Sequence, residues 1–392
     1  MFFSISHSDN LDFSHQWHCH GVTVNTDAGW HQITVGDQYV VYKGYAESGV
    51  IPELLSIILE QPHPELLGNF CVIAIGNTIS IKTDKYRSFP IWVDQGIEIT
   101  NLIPLIHPIW ADTVVSADLN LTVTEQKFDI IGPIDTSPIT EVAALEQLDQ
   151  ILLTRTKNFI THNTLPIKSF LTGGVDSLLV YSYLKRAGID VDVIEYLHID
   201  YDHFWRANSH HLKKFWGYSQ IHHWNTPTVL ASGAPGDEFM LRSPVTANMY
   251  LRSLGTSIPA LLINNPTCLH YDYFMLPKHQ KVFEDTSAVP GYGSESIYKL
   301  CNILVNDWQH WHIGNTLTWT LLRDIDLIKI LVRMPIESTV DQILNSGLSK
   351  KLIERNIPGA TSWISDQKNS GAMRKNLGRR LETHSGHGGS HA

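Results

Sequence analysis

The chain has 392 residues, of which 43% are hydrophobic and 17% are charged. This balance is typical of a folded globular protein and excludes a chain that is disordered throughout, and the length predicts two domains. The 39 acidic residues outnumber the 29 Lys and Arg, giving a formal net charge of -10, which argues against binding to the phosphate backbone of a nucleic acid.

The cysteines and the chain ends indicate a cellular compartment. The four cysteines lie far apart and form no CxxC pair, which predicts reduced thiols and argues against disulfides or a zinc ribbon. The first residues lack the basic and apolar segments of a signal peptide, and no apolar run is long enough to span a bilayer. We therefore expect a cytoplasmic protein without a membrane partner, and we interpret residues 376–392, rich in Gly, Ser and His, as a disordered tail.

The first domain is predicted to cover residues 1–120. Two runs, HQITVGDQYVVYKGY from His31 and NFCVIAIGNTISIKT from Asn69, are rich in β-formers with Gly and Asn at the turns, which predicts antiparallel strands. Between them, IPELLSIILEQ from Ile51 predicts a helix. The strand pattern fades between 109 and 122, which suggests that the domain ends there.

The second domain is predicted to cover residues 121–375. EVAALEQLDQILLTRTKNFI, from Glu141, has apolar residues at helical spacing. The succession PIKSFL, TGGVDS, LLVYSYLKRAG and DVDVIEYLHI predicts a strand, a glycine loop, a helix and a strand, which is a βαβ unit of a parallel sheet. A helix over 204–216 and a short strand at 219–224 follow. From Ser294 onward, helices are predicted in SESIYKLCNILVNDWQHW, DLIKILVRM and LSKKLIERN.

The loop TGGVDS joins the apolar strand to the helix. Gly173 and Gly174 allow backbone N–H groups to turn toward a phosphate, and the helix N-terminus adds its positive dipole end. Thr172 and Ser177 add hydroxyl groups, and Asp176 can hold the Mg²⁺ that accompanies phosphates. The GxxxxGK[ST] spacing of a Walker A loop is absent. A plain glycine turn is the alternative interpretation.

Two loops together resemble those of one enzyme family. TGGVDS resembles the PP-loop, SGGxDS, of enzymes that cleave ATP between the α- and β-phosphates, with Thr172 in place of the first serine. SGAPGDEF, from Ser232, resembles the SGxGxDE loop of asparagine synthetases, with Ala234 where glutamate is common. Taken alone, the second loop could also be an acidic helix N-terminus after a Gly/Pro turn.

The resemblance implies a fold and a nucleotide site. The expected fold class is α/β: a PP-loop parallel sheet, of the adenine nucleotide α-hydrolase type, with a helical C-terminal part. ATP and Mg²⁺ are the implied cofactors, with Asp176 and Asp237 as the Mg²⁺ ligands. The remaining nucleotide contacts that the resemblance implies are the PP-loop residues above together with Leu171, Tyr196, Ser232, Gly233 and Gly236.

The resemblance extends into the C-terminal segment, where a lysine reaches the adenylate in this family. By this resemblance Lys368 is the candidate cation beside the α-phosphate and the developing oxyanion, with Lys351 as a helper. A solvated loop lysine is the alternative. Glu238, Arg323 and Asp324 are placed at the substrate pocket by position in the chain alone.

The first domain resembles the glutaminase half of the same enzymes, an α+β antiparallel domain of the Ntn-hydrolase type. LLGNF and DKYRSFP echo the motifs LxGxF and RDxxGxxPL. That half acts through a cysteine at position 2, where this chain has Phe2, and the first cysteine is Cys19. We therefore expect no glutaminase activity.

The expected function is an AMP-forming carbon–nitrogen ligase that joins a small-molecule or peptide carboxylate to an amine or to ammonia. With aspartate and ammonia the product is asparagine, whereas a diverged pocket would close a lactam or join larger molecules, which Phe2 and Ala234 favour. The rivals are a PP-loop enzyme that modifies tRNA, which the acidic charge and dispersed cysteines oppose, and a catalytically silent nucleotide-binding protein. The oligomeric state stays open, a homodimer included.

Overall fold

The computed structural model describes residues 3–9, 13–27, 29–89, 91–101, 107–171, 174–189, 191–195, 228–285, 300–301 and 317–364. Within these ranges the chain is a mixed α/β protein, with antiparallel sheets first and a parallel sheet with helices later, as the sequence predicts. The predicted helix at 204–216, the strand at 219–224 and the tail at 376–392 lie outside the described residues.

The described part of the N-terminal region contains twelve strands: β1 Phe3–Ser6, β2 His15–Cys19, β3 Val22–Thr26, β4 His31–Val35, β5 Gln38–Ala46, β6 Gly68–Ile75, β7 Ile79–Thr83, β8 Ile91–Asp94, β9 Glu98–Thr100, β10 His107–Ile109, β11 Thr113–Ala117 and β12 Val123–Lys127. They build two six-stranded sheets, in the orders β10-β8-β9-β1-β3-β2 and β12-β11-β7-β6-β5-β4. Neighbouring strands run antiparallel throughout both sheets.

The strand β6 shows why this region folds as layers. Successive side chains of a strand point to opposite faces, and both faces of β6 are buried. On one face Cys71 and Ile73 join the main core, and on the other Phe70 and Val72 join a smaller core. The helix α1, Ile51–Glu60, completes this smaller core with its apolar side, which confirms the predicted helix.

The strand pattern extends further than the sequence analysis expects. The strands β11 and β12 form a hairpin at the edge of the second sheet, although the sequence pattern of strands fades between 109 and 122. The strand β12 lies beyond the predicted domain boundary at residue 120. The alternation is hard to see because β12 reads VTEQK and is mostly exposed. After Lys127 the chain crosses to the C-terminal helices, where the Ile139 N–H donates to the Arg333 carbonyl at 3.0 Å.

The parallel sheet follows the long helix α2, Glu141–His162, which begins at Glu141 as predicted and has Thr140 as its N-cap. The strands of the parallel sheet are β13 Ile167–Leu171, β14 Asp192–Glu195, β15 Val229–Ala231 and β16 Leu317–Trp319, in the order β14-β13-β15-β16. All three pairings are parallel. The helix α3, Val175–Arg186, connects β13 to β14, so the predicted βαβ unit is confirmed.

The other helices of the described residues are α4 Gly236–Phe239, α5 Pro244–Ser253, α6 Ile258–Asn264, α7 Tyr271–Phe274, α8 Pro277–Asp285, α9 Ile325–Leu331, α10 Ile336–Asn345, α11 Gly347–Asn356 and a 3-10 helix at Ala360–Trp363. The predicted helices in DLIKILVRM and LSKKLIERN correspond to α9 and α11. No helix in the described part of the chain is both long and apolar enough to cross a membrane.

A buried ion pair joins the antiparallel region to the second half of the chain. Arg155 of α2 donates from Nη2 and Nε to the two carboxylate oxygens of Glu47, at 2.7 and 3.0 Å. The same guanidinium donates from Nη1 to the Leu321 carbonyl at 2.6 Å. Trp319 at the end of β16 donates from Nε1 to Glu47 at 3.0 Å and stacks on Phe159, with ring centroids 4.4 Å apart. The end of β16 is therefore fixed by groups from both regions.

Candidate active site at the carboxyl edge of the parallel sheet

The two predicted glycine loops follow neighbouring strands. β13 leads into the first loop and β15 into the second, and the pair is parallel with Ser169 opposite Ala231, so both loops leave the same edge of the sheet. The βαβ unit places β14 on one side of β13, while β15 lies on the other. Such a reversal of strand order opens a crevice at the carboxyl ends of the strands, which is where open α/β sheets bind ligands.

The loops pack against each other at their glycines. A Cβ added to Gly233 would lie 2.4 Å from the Ser177 backbone nitrogen and 2.6 Å from the Asp176 carbonyl carbon. A Cβ added to Gly236 would lie 2.4 Å from Cγ of Asp176 and 2.6 Å from Cδ1 of Leu322. Only glycine permits this approach, so these two positions are explained by contact between the loops.

The second loop is held by its own hydrogen bonds. Ser232 donates its N–H to the Trp319 carbonyl at 3.0 Å, which ties the loop to β16. Its hydroxyl accepts from the Ala234 N–H at 3.1 Å, and the Gly236 N–H donates to the Gly233 carbonyl at 2.8 Å. These bonds form a tight turn that places Asp237 in the short helix α4.

The first loop ends at the N-terminus of α3. Gly174 is the N-cap residue in extended conformation, and its carbonyl accepts from the Ser177 hydroxyl at 3.0 Å. Asp176 lies in the first turn, where a negative charge interacts favourably with the helix dipole. Thr172 and Gly173, which complete the predicted loop, lie outside the described residues.

Two carboxylates converge on one arginine. Nη2 of Arg242 contacts Oδ1 of Asp176 and lies 3.3 Å from Oδ1 of Asp237. The side chain of Arg242 is 3% exposed and that of Asp176 is 17% exposed, whereas Asp237 is 43% exposed. Asp176 is therefore the less exposed carboxylate of the pair and Asp237 the more exposed one.

Burial and charge act against each other in this cluster. Burial raises the pKa of the Asp176 carboxyl above its ordinary value, and the Arg242 guanidinium opposes that rise. Burial also acts to lower the pKa of Arg242, but Asp176 and Asp237 outweigh it and raise that pKa. For Glu238, burial and then the neighbouring Asp237 raise the carboxyl pKa. These pKa directions reflect the balance between desolvation and the attraction of Arg242 to Asp176 and Asp237.

The donor set fits Mg²⁺. Nη2 of Arg242 contacts Asp176 and lies 3.3 Å from Asp237, so a metal ion on these carboxylates would compete with the guanidinium for their oxygens. Mg²⁺ in nucleotide enzymes is commonly held by one or two carboxylates with phosphate oxygens and water as the other ligands. The described residues contain no group of three or more His, Cys, Asp or Glu that could hold a metal ion, so Mg²⁺ binding by Asp176 and Asp237 stays a prediction.

The other predicted residues are placed as follows. Leu171 is the last residue of β13 and is buried. Lys351 lies on α11, where its ammonium group forms an ion pair with Glu141 at the start of α2. Its role as a catalytic helper stays a prediction. Tyr196 and Lys368 lie outside the described residues.

Arg323 and Asp324 lie where the two regions of the chain meet. Arg323 donates to the Tyr86 carbonyl and, at 3.3 Å, to the Ser88 hydroxyl. Asp324 accepts from the Tyr86 hydroxyl at 3.1 Å and lies 3.4 Å from Nη1 of Arg155. Both side chains are buried and serve these contacts, so their predicted role in a substrate pocket rests on chain position alone.

Arg242 is the residue that the sequence analysis misses. It stands in the run FMLRSP, five positions after Asp237, and its one signal is a lone basic residue directly behind an acidic loop. The strand β16 is missed as well, although it contributes the Trp319 carbonyl to the second loop.

Comparison with known proteins adds no relative. No family model matches this chain, and a search of curated proteins gives no significant match.

Proposed function

We propose that this protein is an ATP-dependent amide-forming ligase of the asparagine-synthetase type, with a PP-loop site that releases pyrophosphate. The observation that carries the proposal is the contact between two glycine loops at the switch point of the parallel sheet, with Asp176 and Asp237 converging from them. A glycine turn without a ligand does not require a second glycine loop packed onto it, nor a pair of carboxylates drawn together there.

In the proposed reaction an oxygen of the substrate carboxylate attacks the α-phosphorus of ATP. The bond from this phosphorus to the bridging oxygen breaks, and pyrophosphate leaves with its electron pair. Asp176 and Asp237 would hold Mg²⁺, which supplies charge stabilisation to the departing phosphates. The N–H groups at the start of α3 would orient these phosphates.

An amine then attacks the carbonyl carbon of the acyl-adenylate. The carbon–oxygen bond to AMP breaks, the amine nitrogen loses a proton, and an amide and AMP result. Lys368 is the proposed cation beside the α-phosphate and the carbonyl oxygen in both steps. The carboxylate is a small molecule or a peptide, and the amine is supplied directly because Phe2 stands at the position of the glutaminase nucleophile. We infer a cytoplasmic location, in keeping with free thiols at all four cysteines.

The test is the identity of the products. The full chain is incubated with ATP, Mg²⁺ and a panel of carboxylates, each with ammonia or an amine, and the proposal expects AMP and pyrophosphate in equal amounts with the amide. ADP and phosphate, or no turnover across the panel, would contradict it.

A pair of variants separates the site from the rest of the molecule. Asp176→Asn replaces a metal-binding carboxylate with an amide of nearly the same shape. It should abolish pyrophosphate release while the far-ultraviolet circular dichroism stays unchanged. Asp135→Asn is the matched control, because Asp135 also pairs with an arginine, at 2.8 Å, but on the surface. It should turn over like the wild type.

A further inference from the structure

Arg242 holds an unusual position for a cation in a site that should accept Mg²⁺. Its Nη2 contacts both carboxylates, and its Nη1 donates to the Ser346 hydroxyl at 3.2 Å. Nε is buried and has no hydrogen-bond partner among the described residues. A buried guanidinium N–H without an acceptor is costly, so the contacts seen here leave part of its donor capacity unused.

The cation also conflicts with the metal. A divalent ion held by Asp176 and Asp237 would take the carboxylate oxygens that Nη2 now contacts, and two cations would then lie side by side in a buried site. Unscreened repulsion between them disfavours metal binding alone. The conflict ends if an anion with several oxygens enters together with the metal.

Pyrophosphate has the chemistry that Arg242 requires. The planar guanidinium presents several N–H donors in a fixed fork that matches phosphate oxygens, and it stays charged when buried. Arg242 lies directly behind the second loop, with its backbone N–H on the Asp237 carbonyl at 2.6 Å. It therefore approaches the same crevice edge as the two carboxylates.

We propose that Arg242 is a pyrophosphate-binding residue that pairs with Asp176 and Asp237 in the free protein and transfers to phosphate oxygens when a metal takes these carboxylates. This inference rests on the proposed function, which it extends by a residue outside both recognised motifs. This has a thermodynamic consequence: metal and pyrophosphate bind cooperatively. The metal takes the carboxylates that pair with Arg242, and pyrophosphate gives the guanidinium new oxygens to pair with.

The test measures binding and needs no turnover. Mn²⁺ is titrated into the full-length protein and followed by electron paramagnetic resonance, with and without inorganic pyrophosphate, and pyrophosphate affinity is measured by calorimetry at saturating Mn²⁺. In the wild type, pyrophosphate should tighten Mn²⁺ binding at least about 10-fold, within the usual range of coupling between sites.

Arg242→Met removes the charge and keeps an unbranched side chain. It should bind Mn²⁺ alone about 10-fold more tightly than wild type and bind pyrophosphate about 10- to 100-fold more weakly, so the two affinities move in opposite directions. A merely structural role would weaken both. Arg242→Lys keeps the charge without the fork, so Mn²⁺ binding alone should stay near wild type while pyrophosphate binding falls. Arg333→Met, which also removes an arginine from an aspartate pair, should leave both affinities unchanged.

Different outcomes address the two proposals separately. If the wild type binds Mn²⁺ and pyrophosphate together and Arg242→Met does so with the same affinities, the inference about Arg242 is overturned and the proposed function stands. If Arg242→Met unfolds, the lysine variant decides: unchanged pyrophosphate affinity overturns the inference, and a selective loss supports it. If the wild type shows no metal-dependent pyrophosphate binding, both proposals are overturned.

Discussion

Replacing Glu47 with Gln should destabilise the protein strongly, although Glu47 lies in the N-terminal region and far along the chain from both glycine loops. The carboxylate accepts two hydrogen bonds from Arg155 and a third from the Trp319 indole. The side chains of Glu47 and Arg155 are 6% and 9% exposed. A glutamine amide would turn an NH₂ group toward a guanidinium N–H, so that two donors face each other and the arginine keeps a buried charge.

The magnitude follows from burial. Removing one partner of a buried ion pair typically costs about 3–5 kcal/mol, because the remaining charge stays desolvated. Arg155 retains the Leu321 carbonyl and Asp324, so we expect the lower part of this range, about 3 kcal/mol. The exposed pair of Lys85 and Glu65, with Glu65 59% exposed, provides the contrast, since such pairs contribute about 0–1 kcal/mol.

The assay is urea unfolding followed by circular dichroism and tryptophan fluorescence, with Glu65→Gln as the control. Because a chain of two regions can unfold in more than one step, the midpoint and the slope are compared for each transition. Loss of the contact should also lower turnover, since Trp319 supplies the carbonyl that holds Ser232. A Glu47→Gln variant within about 1 kcal/mol of wild type would refute the view that this pair joins the two regions.

Three further outcomes follow from the structure. Gly236→Ala should abolish turnover in an AMP-release assay, because the added methyl group would displace the Asp176 carboxylate and Leu322. Gly76→Ala is the control and should be neutral in the same assay, because the nearest atom belongs to a flexible side chain at 3.5 Å. Lys368→Ala should bind ATP nearly as well as wild type in calorimetry yet turn over about 100- to 1,000-fold more slowly; wild-type turnover would remove it from the site. Burial raises the pKa of the Asp84 carboxyl to about 6. The protonated carboxyl therefore contributes stability below about pH 4, the ordinary carboxyl pKa. This contribution is lost as the pH rises to about 6. Denaturant unfolding across this window should show that decline in wild type and a weaker one in Asp84→Asn.

Much of the fold can be predicted because its signals are local. The alternation and turns of β4 to β7, the capped helix α2 and the strand, glycine loop and helix from Ile167 each depend on neighbouring residues. The two glycine loops are found in the same way. Their contact could not be predicted, because it depends on β15 pairing with β13 after an intervening segment of the chain, and spacing in the sequence does not determine the order of strands.

The missed elements lack a local signal. β16 is a buried strand of three residues, LTW, too short to show any period, and it is recognisable only from the strand it joins. Arg242 would ordinarily be taken for a solvated residue, since arginine is mostly exposed. Its side chain is nevertheless 3% exposed and lies against two carboxylates. Both are consequences of tertiary contacts. Local sequence patterns therefore do not reveal Trp319, which holds the second loop, or Arg242, which contacts an aspartate from each loop.

The N-terminal sheets supply contacts that hold β16 in place. Among the described residues β16 is the edge strand of the parallel sheet, and an edge strand leaves backbone groups in need of partners. The Thr318 carbonyl accepts from the Tyr45 hydroxyl at 2.9 Å and from the Asn69 amide at 3.1 Å, and the next residue supplies the carbonyl that holds the second loop. Without Tyr45 and Asn69 the Thr318 carbonyl would lose these two donors, next to the residue that holds Ser232. The N-terminal region thus contributes to the placement of β16 and, through the Trp319 carbonyl, to the placement of the second loop.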